Sequence, residues 1–309
     1  MTKTIQHISI LAAALILPFF VGPYGHFVLC MAAVYAMISL SLNVLLGMGG
    51  LISIGHAGFW AVGAYSSAIL VDKLGIPFLL AVVLAAIISA AIGLLVALPA
   101  LRVRGHYLAI ATLGFSLVLV HILYEWDSLT GGRQGMFVQR PSVFGYELST
   151  DFQAYYLLIA LFCLMGWLVK NFRRSLGGLA QNSVRQSELA GQCCGVNLTS
   201  STFFVFAFSA AITGISGAVY GSVLGQLSTD SFTLVVSLSF LTMAVVGGMR
   251  SFYGAVLGGL FLAYAPELLR AFEEWQMFLY GALLILFMHF LPDGLVSLPA
   301  RIKGLRGKK

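Results

Sequence analysis

The longest strongly polar interruption in the chain runs from Lys170 to Ser201 and reads KNFRRSLGGLAQNSVRQSELAGQCCGVNLTSS. It begins with a basic cluster formed by Lys170, Arg173 and Arg174. Lys and Arg collect at the cytoplasmic ends of membrane-spanning helices. This stretch is therefore expected to be cytoplasmic, and the segments on either side of it can be assigned to sides of the membrane by counting outward.

Apolar side chains recur within this stretch at the spacing of one helix face, at Leu176, Leu179, Ala180 and Val184. Gly195 follows, and glycine commonly terminates helices. The pattern predicts a short amphipathic helix outside the bilayer. An ordinary solvated loop is the alternative that the pattern leaves open.

Composition places the whole chain in a membrane. Of its 309 residues, 60% are hydrophobic and only 9% are charged, and the mean hydropathy is +0.96. A soluble domain cannot bury so much apolar surface while exposing so few charges. The apolar runs are long enough for helices that cross about 30 Å of hydrocarbon, and they lack the alternating polarity of barrel strands. We therefore expect an all-α polytopic membrane protein.

The apolar runs predict about ten transmembrane segments within one transmembrane domain, residues 1–309. With the N-terminus inside, thirteen of the 17 Lys and Arg fall on the cytoplasmic side, and only Lys73, Arg133, Arg140 and Arg270 fall outside. This bias predicts that both termini are cytoplasmic. The approximate bounds of the segments are 8–21, 27–46, 59–71, 76–100, 107–124, 154–169, 202–227, 232–249, 252–269 and 276–292.

Two regions outside the predicted spans have distinct compositions. The external loop 126–153 is rich in turn residues such as Gly131 and Pro141, and it either caps the bundle or serves as a passive connector. The cytoplasmic tail 293–309 is basic. The net charge of +6 comes from this tail and from cations at span ends. We therefore expect contacts with anionic membrane lipids and no nucleic acid partner.

Two glycine-rich breaks interrupt the predicted bundle, and both contain Gly-Gly-x-x-Ser. Unwound backbone at membrane depth is tolerated only where it is buried in protein or lines a cavity, so paired breaks indicate a transport path. Simple turns between spans are the alternative. The candidate path residues are Gly49, Gly50, Ser53 and His56 in the first break and Gly247, Gly248 and Ser251 in the second.

Small residues recur at every fourth position of the seventh segment, at Thr213, Gly217, Gly221 and Gly225. Such a ridge allows another helix to approach closely. The other helix can belong to the same bundle or to a second membrane subunit, and the sequence does not decide between them.

Several kinds of chemistry lack their residue patterns in this chain. There is no P-loop motif and no H-E-x-x-H motif. The four cysteines, Cys30, Cys163, Cys193 and Cys194, show no metal-binding or disulfide spacing. We therefore predict no enzymatic activity, no cofactor and no metal. Carboxylates are nearly absent from the middle of the apolar segments, which argues against a carrier driven by an ion gradient.

Most of the chain resembles the permease subunits of bacterial ABC importers for branched-chain amino acids, a family that also includes urea and short-amide permeases. Four main blocks and two shorter motifs carry this resemblance in order and spacing. They are GGLISIGHAGFWAVGAY at 49–65, LRVRGHYLAIATLGF at 101–115, TGGRQGM at 130–136, the stretch 175–197, LTMAVVGGMRSFYGAVLGG at 241–259 and LPDGL at 291–295.

The resemblance implies a heteromeric importer in the bacterial inner membrane. Its other parts would be a second permease subunit, two cytoplasmic ATP-binding subunits and a periplasmic solute-binding protein. The resemblance also implies that the cytoplasmic stretch contains a coupling helix that docks onto an ATPase through Arg185, Glu188, Ala190 and Gly195. At a spacing of i, i+3, Arg185 and Glu188 would share one helix face.

We therefore expect a permease subunit that translocates leucine, isoleucine or valine with energy from partner ATPases. Two alternatives stay open from the sequence. One is an ABC permease for urea or short amides, and the other is a self-sufficient channel or gradient-driven carrier for a small solute. A membrane enzyme is disfavoured, because no nucleophile, base and orienting group are clustered.

Overall fold

The computed structural model describes residues 12, 14–101, 105–143, 146–249, 251–269, 275–291 and 294–297. This part of the chain is mostly helical, which confirms the expected all-α class. Six of its helices are long and apolar enough to cross a membrane. The count of ten spans and the cytoplasmic placement of the termini stay predictions.

The helices are named here in chain order. A π-helix, Asn43–Met48, continues the α-helix Pro23–Leu42. Four very short strands are β1 Met136–Phe137, β2 Ser142–Val143, β3 Tyr146–Glu147 and β4 Gln226–Leu227. The α-helices of the described chain are α1 Pro23–Leu42, α2 His56–Asp72, α3 Phe78–Ala100, α4 His106–Glu125, α5 Asp127–Thr130, α6 Asp151–Arg174, α7 Leu176–Gln186, α8 Glu188–Cys193, α9 Leu198–Leu224, α10 Leu234–Gly247, α11 Phe252–Leu269 and α12 Gln276–Phe290.

Nine of the ten predicted apolar segments correspond to helices of the described chain, namely α1–α4, α6 and α9–α12. Of the first segment, 8–21, the structure describes residue 12 and residues 14–21. Residues 14–16 are helical and lead into the short 3-10 helix Leu17–Phe20. The basic tail 293–309 also lies outside the description, apart from residues 294–297.

Local signals set several helix ends. Pro23 occupies the start of α1, where its fixed backbone angle suits the first helical position. The side chains of Ser175 and Asn197 cap α7 and α9 by accepting hydrogen bonds from backbone N–H groups three residues later. Gly225 ends α9 with φ +78°, the left-handed conformation that glycine adopts readily.

Helix α1 lies at the centre of the bundle. In the segment Pro23–Met48, 94% of the residues in the apolar 18-residue stretch are buried within the protein. The corresponding shares are 39% in α3 and 22% in α4. Helix α9 packs along α2 and α3, and α11 packs along α1. The outer helices therefore keep broad apolar faces, which suit contact with lipid.

The described residues of 126–150 fold into short elements at the end of the bundle where α2, α4 and α9 end, and α6 begins directly after them at Asp151. Strand β1 pairs antiparallel with β4, and β2 pairs with β3. Gly135 has φ +76°, and a Cβ atom there would lie 2.2 Å from the carbonyl oxygen of Leu227. The Lys73 ammonium donates to the Ser128 carbonyl oxygen at 2.6 Å. These contacts attach the segment to the end of α2 and to strand β4, which follows α9.

Candidate functional site

The first glycine break is an unwound segment between the π-helix and α2. Gly50 has φ +68°, which favours glycine at this position. The Ile54 N–H donates to the Thr112 hydroxyl of α4 at 3.1 Å, and the Gly55 N–H donates to the Ser53 hydroxyl at 3.2 Å. A Cβ atom on Gly55 would lie 2.6 Å from the Thr112 carbonyl oxygen. The break is therefore held closely against α4.

His56 begins α2 directly after this break and is 1% exposed. Its Nε2 atom lies 3.0 Å from the Ser209 hydroxyl of α9. No hydrogen-bond partner for its Nδ1 atom exists among the described residues. The ring meets Phe59 edge-on at 5.9 Å between ring centroids. His56 thus links the break to α9 in the protein core.

Ser209 belongs to a buried hydroxyl cluster that joins three helices. The Ser41 hydroxyl of α1 lies 2.8 Å from the Ser209 hydroxyl and 2.7 Å from the Thr213 hydroxyl. It also donates to the Ser209 carbonyl oxygen at 2.7 Å. With His56, these side chains form a continuous polar connection between α1, α2 and α9. We refer to Ser41, His56, Ser209 and Thr213 as the hydroxyl cluster.

The second glycine break separates α10 from α11 and packs backbone against backbone. Gly248 has φ +117°. A Cβ atom on Gly247 would lie 2.1 Å from the Gly254 carbonyl oxygen, and one on Gly294 would lie 2.4 Å from the Gly248 Cα. Arg250, within the break, lies outside the described residues. No side chain larger than hydrogen fits at these glycines.

The π-helix brings the two breaks into one neighbourhood. It runs directly into Gly49, and its Asn43 amide donates to the Ser251 carbonyl oxygen in the second break at 3.3 Å. A second connection joins α2 to α10, because the Ala57 N–H donates to the Ser237 hydroxyl at 3.2 Å. The π-helix that leads into the first break and the start of α2 that follows it are thus each hydrogen-bonded to residues of, or beside, the second break.

The polar stretch 170–201, which is predicted to be cytoplasmic and is called the cytoplasmic stretch for that reason, contains two short helices where the sequence predicts one. Ser187 adopts an extended conformation between α7 and α8, and its hydroxyl caps α8 by accepting from the Ala190 N–H at 3.3 Å. Arg185 therefore lies in the last turn of α7, while Glu188 begins α8. The prediction that these two residues share one helix face is wrong. Gly195 follows α8 with φ +80°.

Arg185 points toward the bundle and contacts the first break. Its guanidinium donates to the carbonyl oxygen of Gly47, at the end of the π-helix. A Cβ atom on Gly50 would lie 3.2 Å from Arg185 Cγ. Carbonyl groups at a helix C-terminus carry partial negative charge, which favours a cation there. The cytoplasmic stretch and the first break are therefore in direct contact through one side chain.

Helices α7 and α8 also present leucines to solvent. Leu176, Leu179 and Leu189 are 85%, 58% and 76% exposed. A shallow depression of about 520 Å³ adjoins Leu189 and is lined by Ser187, Glu188, Leu189 and Gln192. Exposed apolar side chains rimmed by polar groups are typical of a protein interaction surface.

The glycine ridge of α9 differs in detail from its prediction. A Cβ atom on Gly217 would lie 2.1 Å from the Trp60 carbonyl oxygen of α2, and Gly221 faces the Leu227 side chain. Gly225 is not part of the ridge, because it is the left-handed residue that ends the helix and has no atom near its potential Cβ position. Within the described chain, the ridge contacts the same bundle.

Sequence reasoning missed several polar residues that organise the site. Asn43 lies near the end of an apolar run, and a polar amide within a membrane span already indicates a functional or bonded residue from the sequence alone. Ser41, Thr112 and Ser209 carry no comparable signal, since single hydroxyls are common in membrane helices. Their partners are distant in sequence, so their roles appear only when the helices pack.

Comparisons with known proteins bear on the whole chain. Residues 26–288 match the family model described as branched-chain amino acid transport system / permease component. The high-affinity branched-chain amino acid transport system permease protein LivM of Salmonella typhimurium strain LT2 is 32% identical, over 94% of this chain and 74% of the relative. LivM of Escherichia coli K12 is 31% identical with the same coverage, and LivH of that strain is 25% identical over 87% of this chain and 93% of the relative. No solved structure matches the chain.

Proposed function

Because the chain belongs to the family of permease components of branched-chain amino acid transport systems, we propose that it forms part of the membrane path of an ATP-driven importer for leucine, isoleucine and valine. The observation that carries this proposal is the family match over residues 26–288, which includes both glycine breaks and the cytoplasmic stretch. The chain itself performs no covalent chemistry in this proposal.

We propose that the path runs along the two breaks. An amino acid is a zwitterion with an apolar side chain, so its passage needs dipoles as well as apolar walls. The first break offers backbone groups of Gly49 and Gly50 and the side chains of Ser53 and His56, and the second offers backbone groups around Gly248. Such unwound segments supply ligand groups in other transporters.

The source of energy is proposed to be external to this chain. Carriers driven by ion gradients keep carboxylates deep in their spans. Among the described residues, none of the buried side chains is Asp or Glu. The exposed leucines of α7 and α8, together with Glu188, offer a surface on which a cytoplasmic ATPase can dock. Movement of α7 would reach the first break through Arg185 and its bond to Gly47.

The proposed assembly contains a second permease subunit, two cytoplasmic ATP-binding subunits and a periplasmic solute-binding protein, in the bacterial inner membrane. The similarity to both LivM and LivH supports the proposal of two related permeases. The names of these relatives also favour branched-chain amino acids over urea or short amides.

Uptake by membrane vesicles tests this proposal. The vesicles contain the chain with its neighbouring transporter subunits, and they receive labelled leucine or labelled urea with and without ATP. We expect leucine uptake that requires ATP hydrolysis, and no urea uptake above background. Uptake of urea in preference to leucine, or leucine uptake that needs no ATP, would overturn the proposal.

The variant Glu188→Lys tests the docking surface in the same assay. It reverses the charge at the first residue of α8, where an acid is favoured and a cation is not. We expect ATP-dependent leucine uptake to fall about tenfold or more, as for a lost charge pair at a buried interface. Glu125→Lys makes the same change at the end of α4 and should keep the parental rate. Parental uptake by Glu188→Lys would contradict docking at α8.

A further inference from the structure

A small cavity lies where the cytoplasmic stretch meets the bundle. Its volume is about 180 Å³, and one water occupies roughly 30 Å³ of liquid, so the cavity has room for about six waters or one small polar group. The residues that line it are Gly47, Met48, Arg173, Asn182, Arg185 and Gln186.

The chemistry of this cavity favours an anion. Two of its lining residues are arginines, which stay protonated in proteins, and two carry side-chain amides. No acidic residue is among the described residues that line it. Two like charges around one cavity repel each other, and an anion bound between them adds an attraction to each. A guanidinium also matches the two oxygens of a carboxylate with a pair of parallel hydrogen bonds.

The cavity adjoins the proposed path at one end of the first break. Gly47 and Met48 are the last turn of the π-helix, and Gly49 follows directly. Arg173 lies in the last turn of α6, and Arg185 lies in the last turn of α7, so both cations come from the predicted cytoplasmic side. An amino acid that leaves the path on that side would present its carboxylate to these two arginines.

We propose that this cavity binds the carboxylate of the transported amino acid on the cytoplasmic side, as a last binding site before release. The inference rests on the proposed function, since it takes its ligand from it. The competing ligand of similar chemistry is inorganic phosphate, whose oxygens a guanidinium also binds.

Equilibrium binding from the cytoplasmic side tests this inference. Inverted membrane vesicles that contain the complete transporter are incubated with labelled leucine, without ATP and without the solute-binding protein. Leucinamide, which lacks the carboxylate, and inorganic phosphate serve as competitors. We expect saturable leucine binding that neither competitor displaces at equal concentration.

The variant Arg173→Gln should weaken this binding about tenfold or more, the factor that loss of one charge-assisted hydrogen-bond pair gives. Arg174→Gln is the matched control, because the neighbouring Arg174 is exposed and does not line the cavity. ATP-dependent leucine uptake by Arg174→Gln vesicles, and co-purification of Arg173→Gln with the other subunits, establish that both chains fold.

Three results would overturn the inference. They are equal displacement by leucinamide, displacement by phosphate, and parental binding by Arg173→Gln. Each can occur while the parent still takes up leucine with ATP, and the proposed function then stands without this site. If the parent takes up no leucine with ATP, the proposed function is wrong, and this inference, which rests on it, falls with it.

Discussion

A few glycines decide how closely the central helices approach. Gly217 of α9 and Gly63 of α2 each leave no room for a side chain, since a Cβ atom would lie 2.1 Å from a backbone oxygen of the other helix. Gly114 of α4 is also helical, yet no atom lies within 4 Å of its potential Cβ position. Glycine is therefore required for helix packing at positions 217 and 63, whereas position 114 has room for a larger side chain.

The substitution Gly217→Ala should destabilise the protein by about 1–3 kcal/mol, the usual cost of inserting a methyl group into a packed core. Gly114→Ala should be neutral or stabilising by up to about 1 kcal/mol, because alanine suits a helix better than glycine. Thermal unfolding of the purified complex in detergent measures both. Equal melting temperatures for the two variants would contradict the close contact between α2 and α9.

Ser187 shows how one residue changed the outcome of a sequence prediction. The apolar spacing from Leu176 to Val184 predicts a helix, and a helix is present there, but Ser187 and Glu188 begin a new one. Serine followed by an acid is a common helix start, so the division was readable from the sequence. The inward direction of Arg185 was not readable, because it depends on where the end of α1 lies after folding.

At the scale of the elements, the hydroxyl cluster joins three helices, α1, α2 and α9, through buried side chains. Ser209 is central to this cluster, since its hydroxyl serves both Ser41 and His56. Hydrogen bonds between membrane helices contribute modestly, about 0.6 kcal/mol each on average. The cluster therefore fixes relative position more than it adds stability.

The substitution Ser209→Ala should lower the free energy of unfolding by about 1–2 kcal/mol, because it removes partners from two buried polar side chains. Ser216→Ala is the matched control on the same helix, since its hydroxyl bonds, within the described part of the chain, only to the Thr213 carbonyl oxygen of α9. We expect a change below about 0.5 kcal/mol there. Chemical or thermal unfolding in detergent distinguishes them, and equal losses would show that the cluster has no special role.

At the scale of the whole molecule, the apolar runs predicted the positions of most helices well, because a membrane helix needs a long apolar run. The pairing of distant segments could not be predicted in this way. The hydroxyls of Ser41 and Ser209 are 168 positions apart, and the contact of Asn43 with Ser251 joins two segments whose proximity depends on tertiary packing. The two glycine breaks were recognisable, but the groups that hold them were not.

The orientation of the bundle is testable with its own cysteines. Cys193 and Cys194 are exposed near the end of α8, whereas Cys30 is fully buried. Cys163 is also exposed, but it lies within the predicted span 154–169 of α6, where an impermeant reagent has no access. A membrane-impermeant maleimide should label the pair in inverted vesicles and not in right-side-out vesicles, since the stretch is predicted to be cytoplasmic. The double substitution Cys193→Ser with Cys194→Ser should abolish this labelling. Labelling confined to right-side-out vesicles would reverse the predicted orientation.

The glycine contacts between α2 and α9 also affect how these helices can move relative to each other. Where backbone touches backbone, no flexible side chain lies between the helices to absorb a displacement. Gly214 of α9 likewise leaves no room for a side chain, because a Cβ atom there would lie 2.3 Å from the Ser89 hydroxyl of α3. We therefore expect α2, α3 and α9 to move together as one unit. The unwound residues 49–55 lie at the end of this unit, and we expect a displacement of α7 to reach them through Arg185 and its hydrogen bond to Gly47.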